Sequence, residues 1–158
     1  LHDALPIFGA VATIDYTSEN VADRTMALTD GKGVDRVVDI IGGAMTRQNI
    51  AASARFGHIV QVSTLDGASA DVPLRTIMAR QLTLSGSTLR PQTSATKAAI
   101  ATRIRADLLP ALSEPDFVKP AIAGFPLARA GEAHHAMEAR RHMGKIVLIT
   151  PFGAATSS

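Results

Sequence analysis

The stretch QLTLSGSTLRP, Gln81 to Pro91, decides how the chain is read. It opens as a short alternating strand and ends in small hydroxyl residues, a glycine and a proline that no central strand tolerates. Upstream of it, two kinds of element alternate. VATIDY (11–16) is short and β-branched and predicts a strand. Ser18 is placed to cap a helix over ENVADRTMALT, with Val21, Met26 and Leu28 on a loose apolar side. DGKG (30–33) is a turn signal, and VDRVVDIIGG (34–43) is a strand ending in two glycines. TRQNIAASARF predicts a helix with Ile50 and Ala54 on one side, and GHIVQVST (57–64) a strand. Pro73 suits the first turn of a helix PLRTIMARQ, and LTLSGST (82–88) closes the series.

The order β-α-β-α-β-α-β needs crossover connections, so the expected class is α/β with a parallel sheet. Past Pro91 the pattern changes. SATKAAIATRIRADLLPALSE (94–114) predicts a long helix with Ala98, Ile100, Ala101, Ile104 and Leu108 as its apolar stripe, bent or ended by Pro110. KPAIAGFPL (119–127) is extended, ARAGEAHHAMEARRH (128–142) helical with Ala130, Ala133 and Met137 inward, and GKIVLIT (144–150) a strand. PFGAATSS (151–158) reads as a flexible tail.

Composition removes several classes of function. Aromatics are 4% of the 158 residues, with no Trp, and the formal charge of +2 comes from scattered Lys and Arg, so a nucleic-acid partner is not expected. There is no Cys, which excludes disulfides, thiolate nucleophiles and thiolate zinc sites within these residues and is compatible with a reducing cytoplasm. No apolar run approaches the roughly 20 residues that span a bilayer. His134 and His135 are adjacent and point roughly 100° apart on a helix. No carboxylate completes a ligand set with His135 and His142, so surface histidines are expected and no metal.

Ligands of parallel sheets gather at the carboxyl ends of strands. Three such ends are legible: Ile40-Ile41-Gly42-Gly43, Val62-Ser63-Thr64 and Gly86-Ser87-Thr88-Leu89. Small, hydroxyl and apolar residues together suit an uncharged flat ring held by backbone groups, with glycines allowing close approach. The plainer alternative makes Gly42-Gly43 a tight turn and Ser63 and Thr64 caps.

GAVATIDYTSEN, DGKGVDRVVDIIGG, GHIVQVST, LTLSGSTLRP and HMGKIVLIT follow one another as in the quinone oxidoreductases, and over residues 8–150 the chain resembles that zinc-free branch of the medium-chain dehydrogenase/reductase superfamily. The resemblance implies a partial Rossmann sheet with its first two strands missing (8–91), followed by the C-terminal return segment of a GroES-like catalytic domain (92–150). It implies NADPH as cofactor, with NADH possible, a quinone or other electron-poor small molecule as acceptor, and a homodimer formed through the edge strand 82–88. By the same resemblance, Tyr16 stands near the adenosine phosphate and Ile40 and Ile41 beside the cofactor. Val62, Ser63 and Thr64 meet the nicotinamide side, Ser87, Thr88 and Leu89 close over the carboxamide, and His142 is a polar neighbour of the cofactor. No catalytic side chain is implied. Enoyl-thioester reduction, zinc-type alcohol oxidation and a non-catalytic nucleotide-binding or dimerising module are the alternatives.

The glycine-rich turn G-x-G-x-x-G occurs nowhere in the sequence. LHDALPI (1–7) resembles translated sequencing-adapter read-through and is expected to be a foreign leader. In the strand order 3-2-1-4-5-6, the strand at 11–16 would be third and that at 34–41 fourth. With neighbours about 4.8 Å apart, two absent strands leave a gap of roughly 14 Å. The strand at 11–16 should then detach or mispair, and the chain alone should be marginal, aggregation-prone and inactive.

Overall fold

In a computed structural model the chain is described over residues 9–115, 117–139 and 142–154, so the leader 1–7 and the end of the expected tail, 155–158, lie outside the described residues. The described residues form helices α1 (Val21–Leu28), α2 (Met45–Ala52), α3 (Leu74–Arg80), α4 (Ser94–Asp107), α5 (Leu109–Leu112), α6 (Ala130–Glu138) and α7 (Pro151–Ala154). The strands are β1 (Val34–Asp39), β2 (Ser53–Gln61), β3 (Thr83–Gly86), β4 (Ile122–Pro126) and β5 (Lys145–Ile149). They fall into two compact units, Ile14–Pro110 and the remainder of the chain.

The first unit holds the three-stranded sheet β1-β2-β3, parallel throughout. Alternation along the strands gives it two unlike faces. Val37 and Ile59 are paired in register on one face, and Ile59 joins Ile50 of α2 and Leu82 in the buried core, with Val72 and Ile77 packed around them. On the other face lie Arg36, Val38, His58, Val60, Thr83 and Ser85; Val38 is 72% exposed there, and His58 Nε2 meets Ser85 Oγ at 2.7 Å.

The loops around this core are held by polar contacts. Val21 N donates to Gln48 Oε1 at 2.7 Å, tying α1 to α2. No loop separates α2 from β2. Ser53 Oγ donates to Asn49 O at 2.7 Å, and the Arg80 guanidinium donates to Ala51 O at 2.8 Å and Ser53 O at 2.7 Å, so a side chain from α3 satisfies the carbonyls at the end of α2. β2 carries an irregularity: Val34 pairs with Ser53 but Arg36 with His58, and Phe56 between them has φ of 63°.

Several expectations are corrected. Residues 11–16 form no strand. A strand needs a ladder partner for its backbone groups, and β1, its expected neighbour in the reduced sheet, pairs only with β2. The segment is therefore extended and irregular, the detached outcome rather than the mispaired one. Asn20 rather than Ser18 caps α1, its side chain accepting from Asp23 N. Pro73 is the residue before α3 rather than inside its first turn. The long helix stops at Asp107 and restarts at Leu109 as α5, which contains Pro110; a proline has no N–H for the carbonyl four residues back, Ala106, and its ring crowds that carbonyl. None of α4 is buried, and its stripe residues Ile100, Ile104 and Leu108 are 39%, 43% and 54% exposed.

In the second unit β4 and β5 are a parallel pair joined through α6, with Ile122 opposite Lys145 and Pro126 opposite Ile149. Ala133 is buried, as expected of the inner side of α6, but Met137 is 52% exposed and Ala130 half-buried. The helical continuation expected through 140–141 lies outside the described residues. Pro151–Ala154 is a short helix rather than part of a flexible tail.

Candidate functional site

Parallel pairing places the carboxyl ends of all three strands on one rim. Gln61, the last residue of β2, stands opposite Asp39, the last of β1, and Gly86, the last of β3. The chain leaving each strand continues the ladder. Val62 N donates to Asp39 O at 2.8 Å, and Ser87 N to Gln61 O at 2.9 Å. Val62 and Ser87 therefore leave the sheet from neighbouring positions on the same edge. Ser63, Thr64, Ser87 and Thr88 are exposed, as are the apolar side chains of Ile40, Val62 and Leu89, at 49%, 40% and 58%.

The Ile40–Gly43 turn behaves differently from an open ligand cradle. Leu65 N donates to Ile40 O at 3.2 Å, Asp66 N to Ile41 O at 2.9 Å, and Gly43 N to Gly67 O at 3.1 Å. Both glycines have positive φ, and a Cβ on Gly42 would stand 2.7 Å from Gly67 O. The two glycines thus seat the 64–67 loop, the tight-turn alternative. Gly42→Ala is expected to cost about 2 kcal/mol from left-handed strain plus this collision, read as a lower urea midpoint.

Two residues beneath the rim escaped the sequence reading. Asp39 is 3% exposed. Its Oδ1 accepts from Ile41 N at 2.6 Å and Gly42 N at 3.0 Å, and its Oδ2 from Asn49 Nδ2 at 2.9 Å. Three donors hold the buried carboxylate and fix the turn. The signal was available: an Asp at a strand end ahead of a glycine pair can bond the backbone two residues on. Asp39→Ala leaves three buried donors without their acceptor and should cost about 3 kcal/mol. Asp39→Asn keeps one acceptor oxygen, lets Asn49 turn its amide to accept, and should cost about 1 kcal/mol. Chemical denaturation of the pair checks the order. The second missed residue is Gln61, whose Nε2 donates to Asp39 O at 3.2 Å and to Ser63 O at 2.5 Å.

Of the candidate cofactor residues, Val62 bonds to the end of β1 and Ser87 to the end of β2, while Ile40 and Ile41 bond to Leu65 and Asp66; Ser63 and Thr64 follow Val62, and Thr88 and Leu89 follow Ser87. Tyr16 lies in the irregular segment ahead of α1 and is 60% exposed. His142 belongs to the other unit, half-buried, with its Nδ1 buried and without a hydrogen-bond partner.

Parallel strands flanked by helices match the Rossmann-like fold of the medium-chain dehydrogenase/reductase proteins. The profile of the Zinc-binding dehydrogenase family matches residues 8–148, and the chain belongs to that family, within the medium-chain dehydrogenase/reductase oxidoreductases. It is 33% identical over 143 residues to a quinone oxidoreductase of Pseudomonas aeruginosa, covering 89% of this chain and 43% of that one. Over 78 residues it is 33% identical to a quinone oxidoreductase-like protein 2 homolog of Nematostella vectensis, 49% of this chain and 21% of the relative. The crystal structure of a Pseudomonas syringae pv. Tomato DC3000 quinone oxidoreductase superposes with a TM-score of 0.66 at 26% identity, covering 89% of this chain and 43% of that chain. The chain thus spans less than half the length of these relatives.

The family name implies a zinc ion, and the residues in hand do not fit one. There is no Cys in the sequence, and among the described residues no three His, Asp or Glu side chains gather to hold a metal. The family generally uses a nicotinamide cofactor. Its uncharged end would suit the exposed hydroxyls of Ser63, Thr64, Ser87 and Thr88 with the exposed apolar side chains of Val62 and Leu89 next to them in the chain. Among the described residues no helix is long and apolar enough to cross a membrane.

Proposed function

We propose that this chain carries the nicotinamide end of the cofactor site of an NADPH-dependent quinone reductase. The observation that supports it is the pairing of Gln61 with Gly86, from which Val62-Ser63-Thr64 and Ser87-Thr88-Leu89 start at neighbouring strand ends. Ser63, Thr64, Ser87 and Thr88 offer hydroxyls and main-chain groups to the carboxamide, and Ile40, Ile41, Val62 and Leu89 give the ring an apolar flank. Tyr16 serves the adenosine phosphate. When bound, the reduced nicotinamide supplies a hydride; protein groups supply position and electrostatics. The acceptor is a quinone, which takes hydride from the cofactor and a proton from water to become a hydroquinone, so no general acid is required of these residues. The exposed edge of β3 is the surface for a second copy, because a partner strand satisfies its open backbone groups.

The test is a fluorescence titration with NADPH, and a panel of quinones, enoyl thioesters and alcohols, on a polypeptide of the relatives' length that contains this chain. Quenching or enhancement with turnover of quinones alone is the expected result. Dimerisation without any cofactor response would replace the enzyme by a nucleotide-free dimerising module, and turnover of thioesters or alcohols would move the reaction within the same superfamily.

A further inference from the structure

We infer that Gln61 is the positioning residue of this rim: its side-chain amide sets where Ser63 stands against the end of β1, while its backbone carbonyl holds Ser87. The inference rests on the nicotinamide reading above for its functional meaning, and on geometry for its physical content. Gln61 is the one residue of the three strand ends that bonds to all of them. Its backbone carbonyl accepts Ser87 N from the β3 side at 2.9 Å. Its Nε2 donates to the carbonyl of Asp39 at the end of β1, at 3.2 Å, and to the carbonyl of Ser63 in its own continuation, at 2.5 Å. Both side-chain partners are carbonyl oxygens, so chemistry fixes the amide's orientation. Only the NH2 end can donate, and its two hydrogens serve two acceptors. The Asp39 carbonyl also accepts Val62 N at 2.8 Å, so the side-chain bond adds to a ladder bond instead of replacing one.

This arrangement has a consequence for recognition. The Ser63 carbonyl is turned toward Gln61, and the polar groups facing outward along the rim are hydroxyls. A ligand carboxamide would then be read by Ser63, Thr64, Ser87 and Thr88 hydroxyls, with Gln61 holding the backbone that presents them.

Hydrogen exchange followed by mass spectrometry, on the 158-residue chain at low micromolar concentration, tests this with and without reduced nicotinamide mononucleotide. Gln61→Met keeps the length of the side chain and removes the donor; Gln61→Glu keeps the shape and opposes a carboxylate to two carbonyls. In both variants exchange across 62–66 is expected to rise about tenfold, the loss of one or two hydrogen bonds, with exchange at Ser87, held by the Gln61 backbone carbonyl, and around Ile50 and Ile59 unchanged. Any protection of the rim by the mononucleotide should fall by a similar factor. A role in packing alone would leave Gln61→Met like wild type in both measurements, and that result overturns the inference. A rim that loosens in the variants, but that the mononucleotide never protects even in wild type, removes the nicotinamide reading and leaves Gln61 as organiser of the strand ends.

Discussion

With NADPH and a quinone, the 158-residue chain is expected to show no turnover above the uncatalysed blank. The reason is one of affinity. A dinucleotide gains much of its hold from a glycine-rich turn and a helix N-terminus that receive the pyrophosphate. No G-x-G-x-x-G occurs in this sequence. The rim offers only neutral hydroxyls and apolar side chains to the other end of the molecule. A stopped assay with NADPH absorbance at saturating quinone would detect even slow turnover. Rates above the blank would mean that the phosphates find another seat, and the cofactor reading of the rim would have to be rebuilt around it. A polypeptide of the relatives' length that contains these residues should turn over, and that contrast is the largest effect predicted for this protein.

The second large effect is self-association. In doubly wound sheets both faces are covered by helices. Here α2 and α3 pack on one face only, and the other presents Val38, 72% exposed, with half-exposed Val60 and the His58–Ser85 pair. β1 and β3 are both edge strands within this sheet. Exposed edges and apolar faces recruit further copies. Sedimentation velocity at about 10 μM, a concentration at which such surfaces associate, should show most of the protein above monomer mass. Val38→Lys combined with Val60→Lys should return it toward monomer, since two charges on the open face oppose its burial. A wild-type chain that sediments as a monomer and melts in one sharp step would contradict the prediction.

The sequence reading and the structure agree where a local pattern is reinforced by a neighbour. β1 and β3, and β2 from Gly57 on, were legible because β-branched runs sat between turn signals and each found a parallel partner; Ser53–Phe56, expected as the end of the helix TRQNIAASARF, instead begin β2. The stretch 11–16 has an equally good local pattern and no strand, because pairing is a property of two segments. The long helix was legible from its spacing, yet burial of its stripe was not, since spacing names a face without naming what covers it. Met137 misled in the same way on α6. At the site, residues pointing outward could be read from the strand ends. Asp39 and Gln61 could not be read by hydrophobic periodicity, because their roles depend on main-chain groups brought close only by the fold: the amides of Ile41 and Gly42, and the carbonyls of Asp39 and Ser63.

The irregularity in β2 separates two demands that otherwise compete. Between the pairs Val34–Ser53 and Arg36–His58, β1 advances through Asp35 alone while β2 runs through Ala54, Arg55, Phe56 and Gly57. An α-helix and the strand that directly follows it must each keep phase with different neighbours, the helix with the core and the strand with its ladder. The surplus residues let these two phases be set independently. Insertions or deletions accumulated in related chains should therefore concentrate at this corner, where a change of length leaves the inward heading of Ile59 and the alignment of Gln61 intact.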